Sequence, residues 1–183
     1  MINVLIPLAQ GCEELEAITI IDLLRRAEIE VTSAGLEDGP VTCSRKTVII
    51  PDTTLDKVLD KQFDMIVLPG GLPGADHLRD DERLIALLKK HSLSSKFIAA
   101  ICAAPKALAH AGLLDNKKAT SFPGVLASLN LPDTEISNAA IVSDGNIITS
   151  RGPGTAMDFT LFLIKLLAGT AISENVQRQM VRD

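Results

Sequence analysis

Short apolar runs alternate along this chain with segments whose apolar residues recur every three or four positions. "NVLIPL", "EVTSAG", "FDMIVLPGG" and "KFIAAI" read as strands, and "TVII", stopped by Pro51, as a further short one. "EELEAITIIDLLRRA" sets Leu15, Ile18 and Leu23 on one helical stripe. Its acids come first and Arg25 and Arg26 last, the order that suits a helix dipole. "DERLIALLKKHS", "APKALAHAGLL" ended by Gly112 and "GTAMDFTLFLIKLLAG" ended by Gly169 read as further helices. "AIVSDGNIITS" reads as a hairpin turning at Asp144-Gly145 or Gly145-Asn146. Strand and helix therefore alternate from end to end. That alternation predicts an α/β fold with a mostly parallel sheet and helices on both faces. Ligands of such sheets bind beyond the carboxyl ends of the strands.

Composition narrows the function classes. A chain of 183 residues fits one domain, residues 1–183, and no linker, repeat or low-complexity segment divides it. With 18 Lys+Arg against 23 Asp+Glu the chain is mildly acidic, and it has no Trp or Tyr. It lacks both the basic patch and the stacking aromatics of a nucleic-acid binder, so no nucleic-acid partner is expected. The most apolar helix, "FTLFLIKLL", carries Lys165 in its middle, and no apolar run approaches a membrane span. The chain opens directly on a strand pattern, which leaves no room for a secretion signal and points to the cytoplasm. Cys12, Cys43 and Cys102 lie far apart and form no CxxC pair. Free thiols are expected, with no structural zinc and no cofactor.

Four stretches carry candidate chemistry. In "FIAAICAAPKAL" a strand runs into Cys102, a helix follows with Pro105 in its first turn, and Ala100 and Ala104 flank the cysteine at two residues' distance. This is the small-x-nucleophile-x-small spacing of a nucleophile elbow, where strand and helix approach too closely for large side chains. A helix N-terminus facing the sulfur favours thiolate. A small buried hydrophobe fits the same spacing. In "LPGGLPGAD", glycines past a strand can turn N–H groups toward an anion, or simply form a turn. The pattern is neither GxGxxG nor a P-loop. "GCEELEA" puts Glu13, Glu14 and Glu16 where a helix begins. A carboxyl buried there would hold a proton for the thiol, and otherwise these acids only complement the dipole. "TSRGPGTAMDF" fixes a loop in which Arg151 either binds an anion or ties down the chain. His77, His91 and His110 are the only histidines, and none adjoins Cys102, so a Cys-His pair has no support.

Together, in this order, "GCEELEA", "VTCSR", "VLPGG", "AAICAAP" and "TSRGPGTAMDF" resemble the ThiJ/PfpI superfamily over nearly the whole chain. The nearest resemblance is to the branch with the human Parkinson-associated deglycase and the bacterial chaperone YajL. The resemblance implies a flavodoxin-like three-layer sandwich and a homodimer. It implies that Cys102 is the reactive, easily oxidised nucleophile and that Glu16 is a protonated carboxyl bonded to its sulfur. Glu13 corresponds to a supporting acid, and Arg45 and Arg151 to arginines beside the site. Backbone at Gly70, Gly71 and Ala103 would bind the oxyanion.

Two departures qualify the implied chemistry. Peptidase-like members place His directly after the cysteine, where this chain has Ala103, so proteolysis is not expected. Glyoxalase-active members bring a histidine from a T-H-P turn, where this chain has "SFP" with Phe122. The resemblance thus implies slow conversion of methylglyoxal, or of its adducts with protein side chains, to lactate. Its alternative is an oxidation-sensing chaperone whose Cys102 forms a stabilised sulfinate.

Overall fold

The computed structural model describes residues 1–182. In chain order the elements are β1 (Asn3–Leu8), α1 (Glu14–Arg26), β2 (Glu30–Gly35), the hairpin strands β3 (Val41–Thr42) and β4 (Val48–Ile49), β5 (Thr53–Thr54) and β6 (Met65–Leu68). There follow α2 (Gly74–Asp80), α3 (Glu82–Leu93), β7 (Phe97–Ile101), α4 (Pro105–His110), β8 (Lys118–Ala119) and β9 (Glu135–Ile136). The hairpin β10 (Ile141–Asp144) and β11 (Ile147–Ser150) leads into α5 (Ala156–Ala168) and α6 (Thr170–Gln179).

Period-two patterning explains the layers. Val4, Ile6 and Leu8 of β1, Met65 and Val67 of β6, and Ala99 and Ile101 of β7 join one core with α1 and α5. Their sequence neighbours Leu5, Ile66, Leu68, Ile98 and Ala100 join a second core with α3 and α4. Strands buried on both faces need apolar side chains at every position, which is why these runs show no polar alternation. The result is the expected flavodoxin-like sandwich. Its main sheet has the order β10-β11-β7-β6-β1-β2-β5. All neighbours are parallel except the β10–β11 hairpin, which turns over Gly145-Asn146. From β1 the chain steps outward to β2, then returns past β1 to form β6. The strand order reverses between β1 and β6, and there the connecting loops diverge and open a crevice at the carboxyl ends.

Some local expectations need correction. On α1, Leu15 and Ile18 are exposed, whereas Glu16, Ala17, Ile20, Ile21, Leu23 and Leu24 face inward. The helix has apolar residues on more than one face, so a stripe drawn through Leu15 and Ile18 selects the wrong side. The loop reading of "LPGGLPGAD" holds only as far as Pro73, because α2 starts at Gly74. Its buried residues are Gly74, Ala75 and Leu78, too little large apolar surface to register as a periodic stripe. α3 begins cleanly because the Asp81 side chain accepts from the N–H groups of Arg83 and Leu84.

Candidate active site

Three loops meet at the crevice, one from the end of β1, one from β6 and one from β7. Cys102 follows β7 directly and has φ +63°. For a non-glycine residue this left-handed conformation costs about 1–2 kcal/mol. The flanking structure holds it in place. The Cys102 N–H donates to the Ser150 carbonyl (3.0 Å), and its carbonyl accepts from the Phe122 N–H (2.7 Å). Ile101 and Ala104 on either side are fully buried. Burying one large aliphatic side chain is worth about 1.5–3 kcal/mol, enough to offset the local strain. Sequence reasoning missed Ser150 as the second anchor, because it lies on a strand that joins the site only through sheet pairing.

Close approach is the reason for small residues here. A Cβ added at Gly70 would sit 2.7 Å from Cys102 Cβ and 2.9 Å from Ala103 N. Gly71, at φ +88°, has no room either, since a Cβ there would overlap Glu13 N and come within 2.6 Å of the Cys12 carbonyl carbon. The β6 loop is thus wedged between the nucleophile loop and the start of α1.

Glu16 comes from the first turn of α1 and is fully buried. Its Oε2 accepts the Gly70 N–H at 2.8 Å. Its Oε1 is buried without a hydrogen bond of ordinary geometry. Burial pushes the carboxyl up to about 7, and the Gly70 N–H and the Cys102 thiol pull it back only in part. Burial likewise pushes the Cys102 thiol up to about 12. The Glu16 charge adds to that rise, while the backbone N–H groups of Gly71 and Ala103 oppose it. The helix start that follows was expected to favour thiolate, but burial and the Glu16 charge raise the thiol instead. α4, which follows the elbow, has only six residues, and what lowers the thiol is the Gly71 and Ala103 N–H groups. When Glu16 holds the proton, the repulsion from its charge disappears. Near neutral pH Glu16 is the member of the pair that takes up or releases a proton, while Cys102 stays a thiol.

The other named residues fall in different places. The Gly70 N–H, expected at an anion, is committed to Glu16, which leaves the Gly71 and Ala103 amides facing the sulfur. The Glu13 N–H donates to the Gly70 carbonyl (2.9 Å), and its Oε2 accepts from Ser44 Oγ (2.9 Å). Arg45 is exposed on the β3–β4 hairpin, and its backbone N–H donates to Glu14 Oε2. Arg151 is exposed and turns its Nη1 to the Asn138 carbonyl (3.0 Å). Phe122, 48% exposed, borders a surface depression of about 270 Å³ together with Arg151, Gly152 and Pro153. A larger depression of about 420 Å³, lined by Leu8, Gln10, Leu36, His77 and Arg83 among others, excludes both Cys102 and Glu16. The strained thiol and the buried carboxyl, and not the larger depression, form the candidate site. Glu14 and Ser44, not assigned a site role from sequence, link α1 to the hairpin.

Residues 2–166 match the DJ-1/PfpI family. The chain belongs to that family. Protein dj-1beta of Drosophila melanogaster is 42% identical over 180 residues, covering 98% of this chain and 96% of the relative. A crystal structure of Drosophila melanogaster DJ-1beta matches with a TM-score of 0.95 at 41% identity, covering 100% of this chain and 98% of the other. Glutathione-independent glyoxalase DJR-1.2 of Caenorhabditis elegans is 34% identical over 160 residues, covering 87% of this chain and 85% of the relative. Oxidized Toxoplasma gondii DJ-1 matches with a TM-score of 0.94 at 36% identity, covering 100% of this chain and 99% of that one. The ThiJ/PfpI resemblance and the DJ-1-like branch read from sequence are thereby borne out. Within this DJ-1/PfpI chain no helix among the described residues is long and apolar enough to cross a membrane.

Proposed function

We propose that this chain is a cysteine-dependent stress-response protein of the cytoplasm that converts methylglyoxal, or its adducts with protein side chains, to lactate. One observation carries the reading: a thiol on a strained elbow at φ +63° stands beside a fully buried carboxyl that burial raises to about 7, so a proton carrier lies next to the sulfur. The C. elegans relative named as a glyoxalase supports the same substrate class. Cys102 sulfur adds to the aldehyde carbon while its proton passes by way of the Glu16 carboxylate to the aldehyde oxygen, which forms a hemithioacetal and leaves Glu16 ionised again. The Gly71 and Ala103 amides face the sulfur and are the nearest donors for the adduct oxygen. Glu16 takes the proton from the aldehyde carbon and returns it to the former ketone carbon through an enediol. A lactoyl thioester results, and water releases lactate and the thiol, so methylglyoxal plus water gives lactic acid. Phe122 offers no base at the elbow, so Glu16 carries the transfer alone and turnover is slow. No adjacent histidine activates the thiol for amide cleavage, which disfavours a protease. A homodimer, as the family resemblance implies, is part of this reading.

A second reading, a redox-controlled chaperone, is favoured by the same carboxyl. Protonated Glu16 can donate to a Cys102 sulfinate and halt oxidation there, a step that needs no histidine. The match to an oxidized relative accords with it.

Lactate formation by the parent, Cys102→Ser and Glu16→Gln proteins tests the first reading. Loss of at least about a hundredfold is expected in both variants. Lactate that persists without Cys102 sinks it. For the second, mild peroxide followed by peptide mass analysis is expected to add two oxygens at Cys102 and none at Cys12 or Cys43. Oxygen added equally at all three thiols sinks that reading.

A further inference from the structure

The carbonyl chemistry leaves two thiols unused. Cys12, in the loop after β1, and Cys43, at the end of β3, are both buried and free. Their sulfurs lie 3.5 Å apart although the residues are 31 positions apart in sequence. Backbone bonds on both sides hold the two segments together. The Gly11 N–H donates to the Thr42 carbonyl and the Ser44 N–H to the Cys12 carbonyl, each at 2.8 Å. Disulfide formation brings the sulfurs to about 2.05 Å, a closure of roughly 1.5 Å, within reach of small side-chain rotations where the backbones are already paired.

The hairpin is the accessible side of the pair. β3 and β4 have two residues each, and Arg45, Lys46, Thr47 and Val48 at its turn are exposed. Short elements of this kind open locally more often than the core and would admit a small oxidant.

We propose that Cys12 and Cys43 form a reversible intramolecular disulfide in response to hydroperoxides, fastening the β3–β4 hairpin to the loop that leads into Glu13, Glu14 and Glu16. The atoms balance with peroxide as the oxidant. One thiol, losing its proton, attacks a peroxide oxygen, breaks the O–O bond and becomes a sulfenic acid, and one water leaves. The second thiol attacks that sulfur and expels the other water. Two thiols and one hydrogen peroxide give one disulfide and two waters, with each sulfur oxidised by one electron. Burial and the neighbouring thiol raise Cys12, and burial raises Cys43, so the reaction is slow at neutral pH and quickens as pH rises.

The test uses full-length parent protein and a Cys102→Ser variant, so its outcome is independent of the fate of the carbonyl reaction. Each is exposed to hydrogen peroxide, unfolded in N-ethylmaleimide, digested without reduction and analysed by mass. The expected product in both is the Cys12 peptide joined to the Cys43 peptide, two hydrogens lighter than their sum and separated again by dithiothreitol. The midpoint of thermal unfolding of the oxidised Cys102→Ser protein is expected to rise by about 5 °C or more, since the link closes a long loop. That rise disappears in a Cys102→Ser, Cys43→Ser double variant. Recovery of both thiols as separate maleimide adducts overturns the proposal, as does oxygen added singly to each, or a link that joins two chains or involves Cys102. The mass readout needs no change at Cys12 or Cys43, so a poorly folding double variant leaves it decisive.

Discussion

The elbow at Cys102 and the thiol pair at Cys12 and Cys43 are both buried, and burial raises all three thiols. They differ in what faces the sulfur. Cys102 stands at φ +63° against a carboxyl and two amides. Among the described residues, Cys12 and Cys43 have only each other as side-chain hydrogen-bond partner. The proposed reaction at Cys102 uses that carboxyl as proton carrier and those amides as oxyanion donors. At Cys12 and Cys43 the group in reach is a second sulfur.

The two regions share a wall, and that offers the most severe way to break the comparison. Gly71 faces the Cys12–Glu13 backbone, while its own N–H is turned to Cys102. Gly71→Ala forces a side chain into backbone atoms at positive φ. It is expected to destabilise the fold by about 3 kcal/mol or more, measured by urea unfolding. Alkylation of both Cys102 and Cys12 by iodoacetamide should rise together. If only Cys102 becomes more reactive, the two sites are mechanically separate.

Glu16 gives the next largest effect. Its folded value of about 7 lies above the ordinary 4.5, so between those limits the folded chain holds a proton that the unfolded chain has released. Stability from this group is fully present below about pH 4.5, declines as pH rises, and is gone above about 7. The difference is on the order of 3 kcal/mol. Parent stability measured at pH 4.5 and 8 should fall by about that much more than the stability of Glu16→Gln, which has no such proton. Equal slopes would show that the carboxyl is ionised throughout and cannot serve as the proton carrier, which removes the distinction between the two thiol sites.

Much of this arrangement was legible in the amino-acid order, for identifiable reasons. The strands β1, β6 and β7 announced themselves because burial on both faces demands unbroken apolar runs. The elbow was visible because close packing demands Ala100 and Ala104. The acids at the start of the helix after β1 were visible too, but only the family resemblance singled out Glu16 from Glu13 and Glu14, because burial of one of three neighbouring carboxyls is a property of the folded helix. α6 was not visible, because its inward face is little more than Ser173 and Val176 while Ile172 is exposed. Nor was the Cys12–Cys43 contact, which arises only when the β3–β4 hairpin folds back on the β1 loop. The raised Cys102 thiol was missed for a different reason. A helix N-terminus can be read from sequence, whereas the depth of burial that outweighs it is a property of the assembled layers.

The smallest effect probes the link between the two regions. Glu14 stands between them on α1. Partial burial works to raise its carboxyl, but the N–H groups at its own helix start, at Arg45 and at Thr47, with the Ser44 hydroxyl, outweigh it and bring it down to about 2. Its charge adds to the rise at both Cys12 and Cys43 but is not among the influences on Cys102. Glu14→Gln keeps much of the shape and removes the charge. Weakened bonds to the hairpin should cost about 1 kcal/mol in urea unfolding. Alkylation of Cys43 at pH 8 should quicken a few-fold, from a lower thiol pKa and a looser hairpin together, while the rate at Cys102 stays unchanged. A matching rise at Cys102 would mean that the hairpin also gates the elbow, and the two thiol regions would then have to be treated as one site.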